Sequence, residues 1–254
     1  MALWPRSLPF LARRYLPMRE HLVFTLAAAV ASMGELAGHE RRGTWSWPGR
    51  SSVLGLCAAA LGIRRDGDFS ALDGLGLAVA VFDTGEPLRD FHTAVSIPSS
   101  VAKRPQSRAD ALRIDAGRSN STITLRDYRV GVLYGVALWG DGLPTVAENL
   151  VEALQRPTFT LYLGRKSCPL AAPLAPRVLT APDAAAALTD GMTLPPWRAG
   201  ARAGQIATEE ELPAPRTETR HDRPTDRTAW HFAPRAVRLV PCDIAPRTAG
   251  QVAA

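Results

Sequence analysis

The apolar stretch Leu161-Tyr162-Leu163 runs into Gly164, two adjacent cations, Arg165 and Lys166, and then Ser167-Cys168-Pro169. A glycine lets the main chain approach a phosphate closely and the two cations neutralise it, so this is the strongest local signal for anion chemistry. The second glycine and following helix of a P-loop are missing, and a strand-end turn with solvated cations fits the same spacing. A second signal is Pro48-Gly49-Arg50-Ser51-Ser52, at the head of a helical pattern. Free N–H groups of a helix N-terminus, with Arg50 and Ser51 beside them, form an anion site, although ordinary capping also explains the serines. A third lies between Asp90-Phe91-His92-Thr93 and Arg126-Asp127-Tyr128, where Lys103, Arg104, Arg108 and Arg113 occur with no aromatic residue between Phe91 and Tyr128. Such a segment suits a finger that tracks a nucleic-acid backbone without stacking bases, or a mobile surface loop. His92 is the histidine placed to meet a phosphodiester. General-base attack by a 2′-hydroxyl needs one such group with a pKa near 7, while a plain hydrogen-bonding role needs nothing more.

No Ser-His-Asp set, paired-carboxylate spacing or metal-ligand cluster stands out, so no cofactor or metal is expected. Cys57, Cys168 and Cys242 are widely spaced and read as reduced packing residues. With 46% hydrophobic and 21% charged residues, the chain is in the globular range, and at 254 residues it buries a core without staples. Of its 30 basic residues only Lys103 and Lys166 are lysine, and the formal charge is +6. Arginine offers a planar fork for phosphate and a face for stacking, so this balance favours a polyanion partner; codon bias toward Arg is the competing account. No apolar run reaches the ~18 to 20 residues that span a bilayer, and no membrane partner is expected. The run Leu22 to Ala31, after the basic residues 1 to 20, imitates a secretory signal with an A-x-A site. The alternative makes His21 to Leu26 the first strand and Met1 to Pro17 a ragged extension before Met18, and on that reading the protein is cytoplasmic.

The elements that must position these residues follow in order. Residues 38 to 50, Arg42 among them, have no period and read as a loop. Val53, Leu54, Cys57 and Leu61 recur at near-helical spacing, with Gly62 closing the helix. Leu75 to Phe82 is a buried strand and Tyr128 to Trp139 another. Thr145 and Glu148 form a capping box ahead of Val146, Leu150 and Leu154, and Arg156-Pro157 ends that helix. Thr158 to Leu163 reads as a short strand, Ala181 to Asp190 as a short helix, Ala199 to Thr228 as a loop or partly disordered segment, and Trp230 to Val240 as a last strand. Strand, helix, strand, insertion, strand, helix, strand is the split βαβ order. The expected class is therefore α+β: a ferredoxin-like, RRM-like domain over 21–167 with a basic thumb-like hairpin insertion at about 86–126. It is preceded by the extension 1–20 and followed by a small, partly irregular region, 168–254.

Taken together, Pro48 to Ile63, Asp90 to Thr93, Thr124 to Tyr128 and Leu161 to Pro169 resemble, in order and spacing, the CasD family, which holds the 5′ handle of the guide RNA in the type I-E CRISPR Cascade complex. The resemblance runs from about His21 to Val240 and implies the RAMP superfamily. Such a protein takes part in antiviral defence as a non-catalytic subunit that caps the crRNA 5′ handle. It meets the Cascade backbone subunit and the large subunit, and it meets target DNA only through the complex. The RNA-binding set is then Arg42, Arg50, Ser51, His92, Lys103, Arg104, Arg108, Arg113, Arg126, Arg165 and Lys166. The stretch Ala28 to Gly34 departs from the Gly-Pro-x-x-Ser-Trp-Gly turn typical of that family. The rival is a metal-independent endoribonuclease acting on repeat RNA, with His92 as base; the Tyr, Lys and His constellation of catalytic relatives from another subtype has no match here.

Overall fold

The computed structural model describes residues 17–35, 40–98, 106–111 and 120–246. Its centre is two long strands, β1 (Arg19–Ala31) and β5 (Asn120–Trp139), paired antiparallel from Leu22↔Leu138 to Ala31↔Arg129. On their outer sides lie β6 (Arg177–Ala181), antiparallel to β1, and β3 (Gly76–Asp83), antiparallel to β5. Three further strands continue the sheet beyond β3: β7 (Ala203–Thr208), β9 (His231–Ile244) and β8 (Arg216–Asp226), giving the order β6-β1-β5-β3-β7-β9-β8.

Successive residues point to opposite faces of a strand, and here both faces are apolar. Leu22, Phe24 and Leu26 of β1 share one face with Tyr134, Val136 and Leu138 of β5 and with Leu77 and Val79 of β3. Val23 and Ala27, Leu133 and Ala137, and Ala78 and Ala80 make up the other. Helix α1 (Arg50–Leu61), the single turn α2 (Ser70–Asp73) and helix α4 (Leu143–Gln155) cover the first face. Three consecutive alanines favour α1, and Gly62 stops it at φ +78°, its N–H reaching the carbonyls of Ala58 and Ala59. Leu143, Ala147, Leu150 and Leu154 give α4 a buried stripe at helical spacing, each leucine contributing about 2 kcal/mol of burial. Helix α5 (Ala184–Gly191), capped by the Asp183 carboxylate accepting from Ala186 N, packs Ala184, Ala187 and Leu188 on the second face.

Several expectations are corrected. The capping box is absent: α4 starts earlier, at Leu143, with Gly142 before it and Pro144 in its first turn, so Thr145 lies inside the helix. Thr158 to Leu163 is not a strand beyond the single bridge Tyr162↔Pro169, because the chain doubles back at once and Leu163 N donates to Cys168 O. The strand beside β1 at that edge is β6, and the sheet runs continuously across the boundary expected at 167/168. Residues 199–228 hold two strands; β8 escaped notice because it is an edge strand of mostly polar residues held by pairing with β9. The apolar run 22–31 is the buried central strand. Finally, the sheet face that an RNA-recognition module leaves open for bases is covered here by α5 and its neighbours, so it offers no open stacking platform.

Candidate nucleic-acid interface

Beyond the body, β5 continues outward as one side of a hairpin arm. Its partner is β4 (Glu86–Ser96), in unbroken register from Glu86↔Val130 to Ser96↔Asn120. The two-residue strand β2 (Arg41–Arg42) runs parallel along the other side of β5, opposite Leu125 and Arg126. A short helix, α3 (Arg108–Ala111), lies in the segment between β4 and β5, where Arg108 Nη2 donates to Val95 O. Residues directly opposite in a ladder share a face, so the arm sorts its side chains into two sets.

One set joins Arg89, Phe91 and Thr93 of β4 to Ile123, Leu125 and Asp127 of β5 and Arg41 of β2. Asp127 binds the cations on both flanking strands, Arg89 Nε at 2.7 Å and Arg41 Nη2 at 2.9 Å. The hydrogen bond from Arg89, then the contacts of Arg41, hold its carboxyl below the usual carboxylate range against the opposing effect of burial. The other set joins Asp90 and His92 to Tyr128, Arg126 and Thr124, with Arg42 beside Arg126. Arg126 Nε is shielded from solvent and has no hydrogen-bond acceptor among the described residues.

The Gly-Arg-Lys-Ser-Cys-Pro loop docks on this second face. Gly164 has φ +89°, and a Cβ there would lie 1.5 Å from the Ser32 carbonyl oxygen, so only glycine lets the loop seat against the end of β1. Leu163 O accepts from Ser32 N, and Cys168 N donates to Arg165 O. From this seat Arg165 lays its guanidinium over the Tyr128 ring, 4.4 Å from the centroid, and donates to Asp127 O and Arg42 O at 3.4 and 3.2 Å. Lys166 is exposed next to it. Of the expected residues, Arg42 and Arg126 thus lie side by side with Arg165 against them and Lys166 next in its loop, while His92, opposite Thr124, stands farther out on the same face.

The rest do not join them. Arg50 is buried, and its guanidinium donates to Leu75 O, Asp73 O and the Glu209 carboxylate at 2.6 to 3.2 Å. It is an interior strut, not a phosphate ligand. The anion site expected at the head of α1 is already filled: Asp222 accepts from Arg50 N at 2.8 Å and binds Arg235 at 2.6 Å. Ser51 lies in the first turn of that helix, on the body. Arg108 lies on the arm's outer part, and Lys103, Arg104 and Arg113, with much of the segment expected to be mobile, fall outside the described residues. Sequence reasoning missed Arg41, Arg89, Asp127 and Tyr128 as parts of the site; the doublet Arg41-Arg42 was the available signal. It also missed Arg220, whose buried guanidinium sits between the rings of Trp45 and Trp47, its centre 4.2 and 3.3 Å from their centroids.

Among the described residues no group of three His, Cys, Asp or Glu could hold a metal ion, and no helix is long and apolar enough to cross a membrane. Burial pushes the Cys57 thiol up to about 12, which leaves it unreactive.

The family model described as CRISPR-associated protein (Cas_Cas5) matches residues 21–238. The CRISPR system Cascade subunit CasD of Escherichia coli (strain K12) is 35% identical over 173 residues, which cover 62% of this chain and 70% of that protein. Two solved structures share the fold. A chain of a CRISPR RNA-guided surveillance complex matches with TM-score 0.65 at 24% identity over 91% of this chain and 93% of that one. A structure titled as a Cas protein matches with TM-score 0.59 at 26% identity over 89% and 98%. With the family model matching 21–238 and a curated relative at 35% identity, the chain belongs to the CRISPR-associated Cas5 protein family.

Proposed function

We propose that this protein is a guide-RNA-binding, non-catalytic subunit of a Cascade-type surveillance complex in the cytoplasm, holding the crRNA 5′ handle. One observation carries the reading: Arg42 and Arg126 lie side by side on the face of the arm where Arg165 stacks on Tyr128, with Lys166 exposed in the same loop and His92 farther out on that face. Cations spaced along a ridge suit a single-stranded phosphate backbone, which supplies most of the affinity and gives no sequence information by itself. Kinship with a Cascade subunit supports the backbone and large subunits as protein partners, with target DNA met through the complex. Strands β6-β1-β5-β3 with α1 and α4 on one face are the ferredoxin-like core, and the arm is its thumb.

The test is photo-crosslinking of the full chain to a guide RNA whose 5′ end derives from the repeat. Crosslinked peptides should contain Arg42, Arg126 and Lys166; crosslinks confined to the far side of the sheet overturn the reading. Incubation with unprocessed repeat RNA should leave it intact, and specific cleavage that disappears in His92→Ala would establish the ribonuclease instead.

A further inference from the structure

The arm meets the body at two glycines on neighbouring strands. The ladder of β5 with β3 ends at Asp83↔Leu133, and its ladder with β4 begins at Glu86↔Val130. In the gap lie Gly85 at φ +67° and Gly131 at φ +79°, and a Cβ on Gly85 would stand 2.5 Å from the Val130 carbonyl oxygen. A left-handed residue on each strand at the same level makes a pivot on the β3–β4 side of β5, where the pairing that would stiffen it is interrupted. On its other side β5 stays paired with β1 through this level, from Ala28↔Val132 to Ala31↔Arg129, and that ladder ends there, so the arm beyond it can swing.

Two arginines span this pivot. Arg198, at the end of the 3-10 turn Pro196–Arg198, donates to the Gly131 carbonyl at 2.7 Å and to the Asp83 carboxylate at 2.9 Å, while Asp83 also accepts from Gly85 N at 2.8 Å. Arg165 works from the loop seated on Ser32. Its two terminal nitrogens reach carbonyls of β5 and β2, and its flat face rests on Tyr128. These terminal nitrogens are the ones that would fork a phosphate, and both already have acceptors. The Arg41–Asp127–Arg89 set, by contrast, lies wholly within the arm and ties nothing to the body.

We infer that Arg165 and Arg198 are positioning residues that fix the angle of the arm on the Gly85/Gly131 pivot, and that Arg165 acts on RNA through the arm without touching phosphate. The effect on binding rests on the guide-RNA reading; the effect on the arm does not. Nitroxides placed by Thr122→Cys on the arm and Glu148→Cys on α4, in a Cys242→Ser background, report the arm-to-body distance by pulsed electron resonance without any RNA. The parent should give one narrow distribution, and Arg165→Ala with Arg198→Ala a broad one at unchanged circular dichroism. A distribution as narrow as the parent's overturns the inference whatever the protein binds.

Fluorescence anisotropy with a labelled single-stranded guide RNA gives the second readout. Arg165→Ala should weaken binding about tenfold while the slope of log K against log salt stays the same, and Arg165→Lys, which keeps the charge but loses the planar fork, should weaken it likewise. A slope shallower by about 0.7 in Arg165→Ala, with binding retained in Arg165→Lys, would make Arg165 a phosphate contact and overturn its positioning role. Failure of the parent to bind RNA refutes the guide-RNA reading and leaves the distance measurement to decide the pivot.

Discussion

Arginines of similar appearance in the sequence have opposite occupations, and the difference is measurable. Arg126 lies on the arm and Lys166 is exposed in the loop docked on it, whereas Arg50 is enclosed by Leu75 O, Asp73 O and Glu209. Lys166→Ala and Arg126→Ala should each flatten the salt slope of RNA binding by about 0.7, the value for one neutralised phosphate of a single strand, and leave the melting temperature nearly unchanged. Arg50→Ala should do the reverse, lowering stability by about 3 kcal/mol because it takes a buried donor from two carbonyls and from the partly buried Glu209, which keeps Arg235 and Leu77 N. Equal slopes in all three variants would refute the division. His21 gives a second test at this scale. It is wholly buried beside Trp139, and burial, followed by the charge of Arg19, brings its pKa from 6.5 down to about 4. Its neutral form is the one the fold favours, so its contribution to stability is complete above the unfolded value of 6.5 and is lost as pH falls toward 4. Glu210, which binds Arg19 and whose pKa burial raises, acts in the opposite sense, so the measurement is a difference. The gap in melting temperature between the parent and His21→Gln should shrink from pH 7.5 to pH 4; a constant gap would refute the assignment. None of these roles is legible locally, since the partner of Arg50 lies 159 positions away and nothing near residue 50 announces it.

At the scale of elements, periodicity reveals what burial creates. Strands β1, β3 and β5 and helices α1 and α4 were legible because each buries a stripe or both faces, and the residues say so. Strand β8 was not: Arg216 to Asp226 has almost no apolar content and owes its conformation to β9. Its interior-facing charges nevertheless organise α1. Asp222 closes the positive end of that helix, binds Arg235, and Arg235 in turn binds Glu209, so one polar network links β8, β9 and the helix. Asp222→Ala should cost about 3 kcal/mol, read from denaturant unfolding, while Asp222→Asn, which can still accept from Arg50 N, should cost less. Equal losses in the two variants would show that charge, and not capping, carries the effect.

In the whole molecule, body and arm divide the labour of folding and binding. The described core residues belong to the body, while β4 is exposed along nearly its entire length. Removing residues 86–130 and joining Gly85 to Gly131 would close β3 and β5 into a hairpin through two adjacent glycines already in the left-handed conformation such turns require. The shortened chain should keep its cooperative melt and lose RNA binding; a chain that fails to fold would show the arm to be part of the core. The chief site was only half legible for the same reason: Arg42 and Arg126 meet through a register, and Arg165 reaches them through a loop shaped by one glycine. The central position of β1 has a further consequence, which concerns synthesis. This apolar strand leaves the ribosome ahead of the other described strands, yet its two neighbours are β5 and β6, about 100 and 150 residues downstream. Contacts so distant in sequence slow folding, and until β5 is translated β1 offers two unpaired edges to any other nascent chain. Truncations ending before Asn120 should therefore aggregate on expression, and chaperone dependence in the cell should fall sharply once translation has passed Ala181.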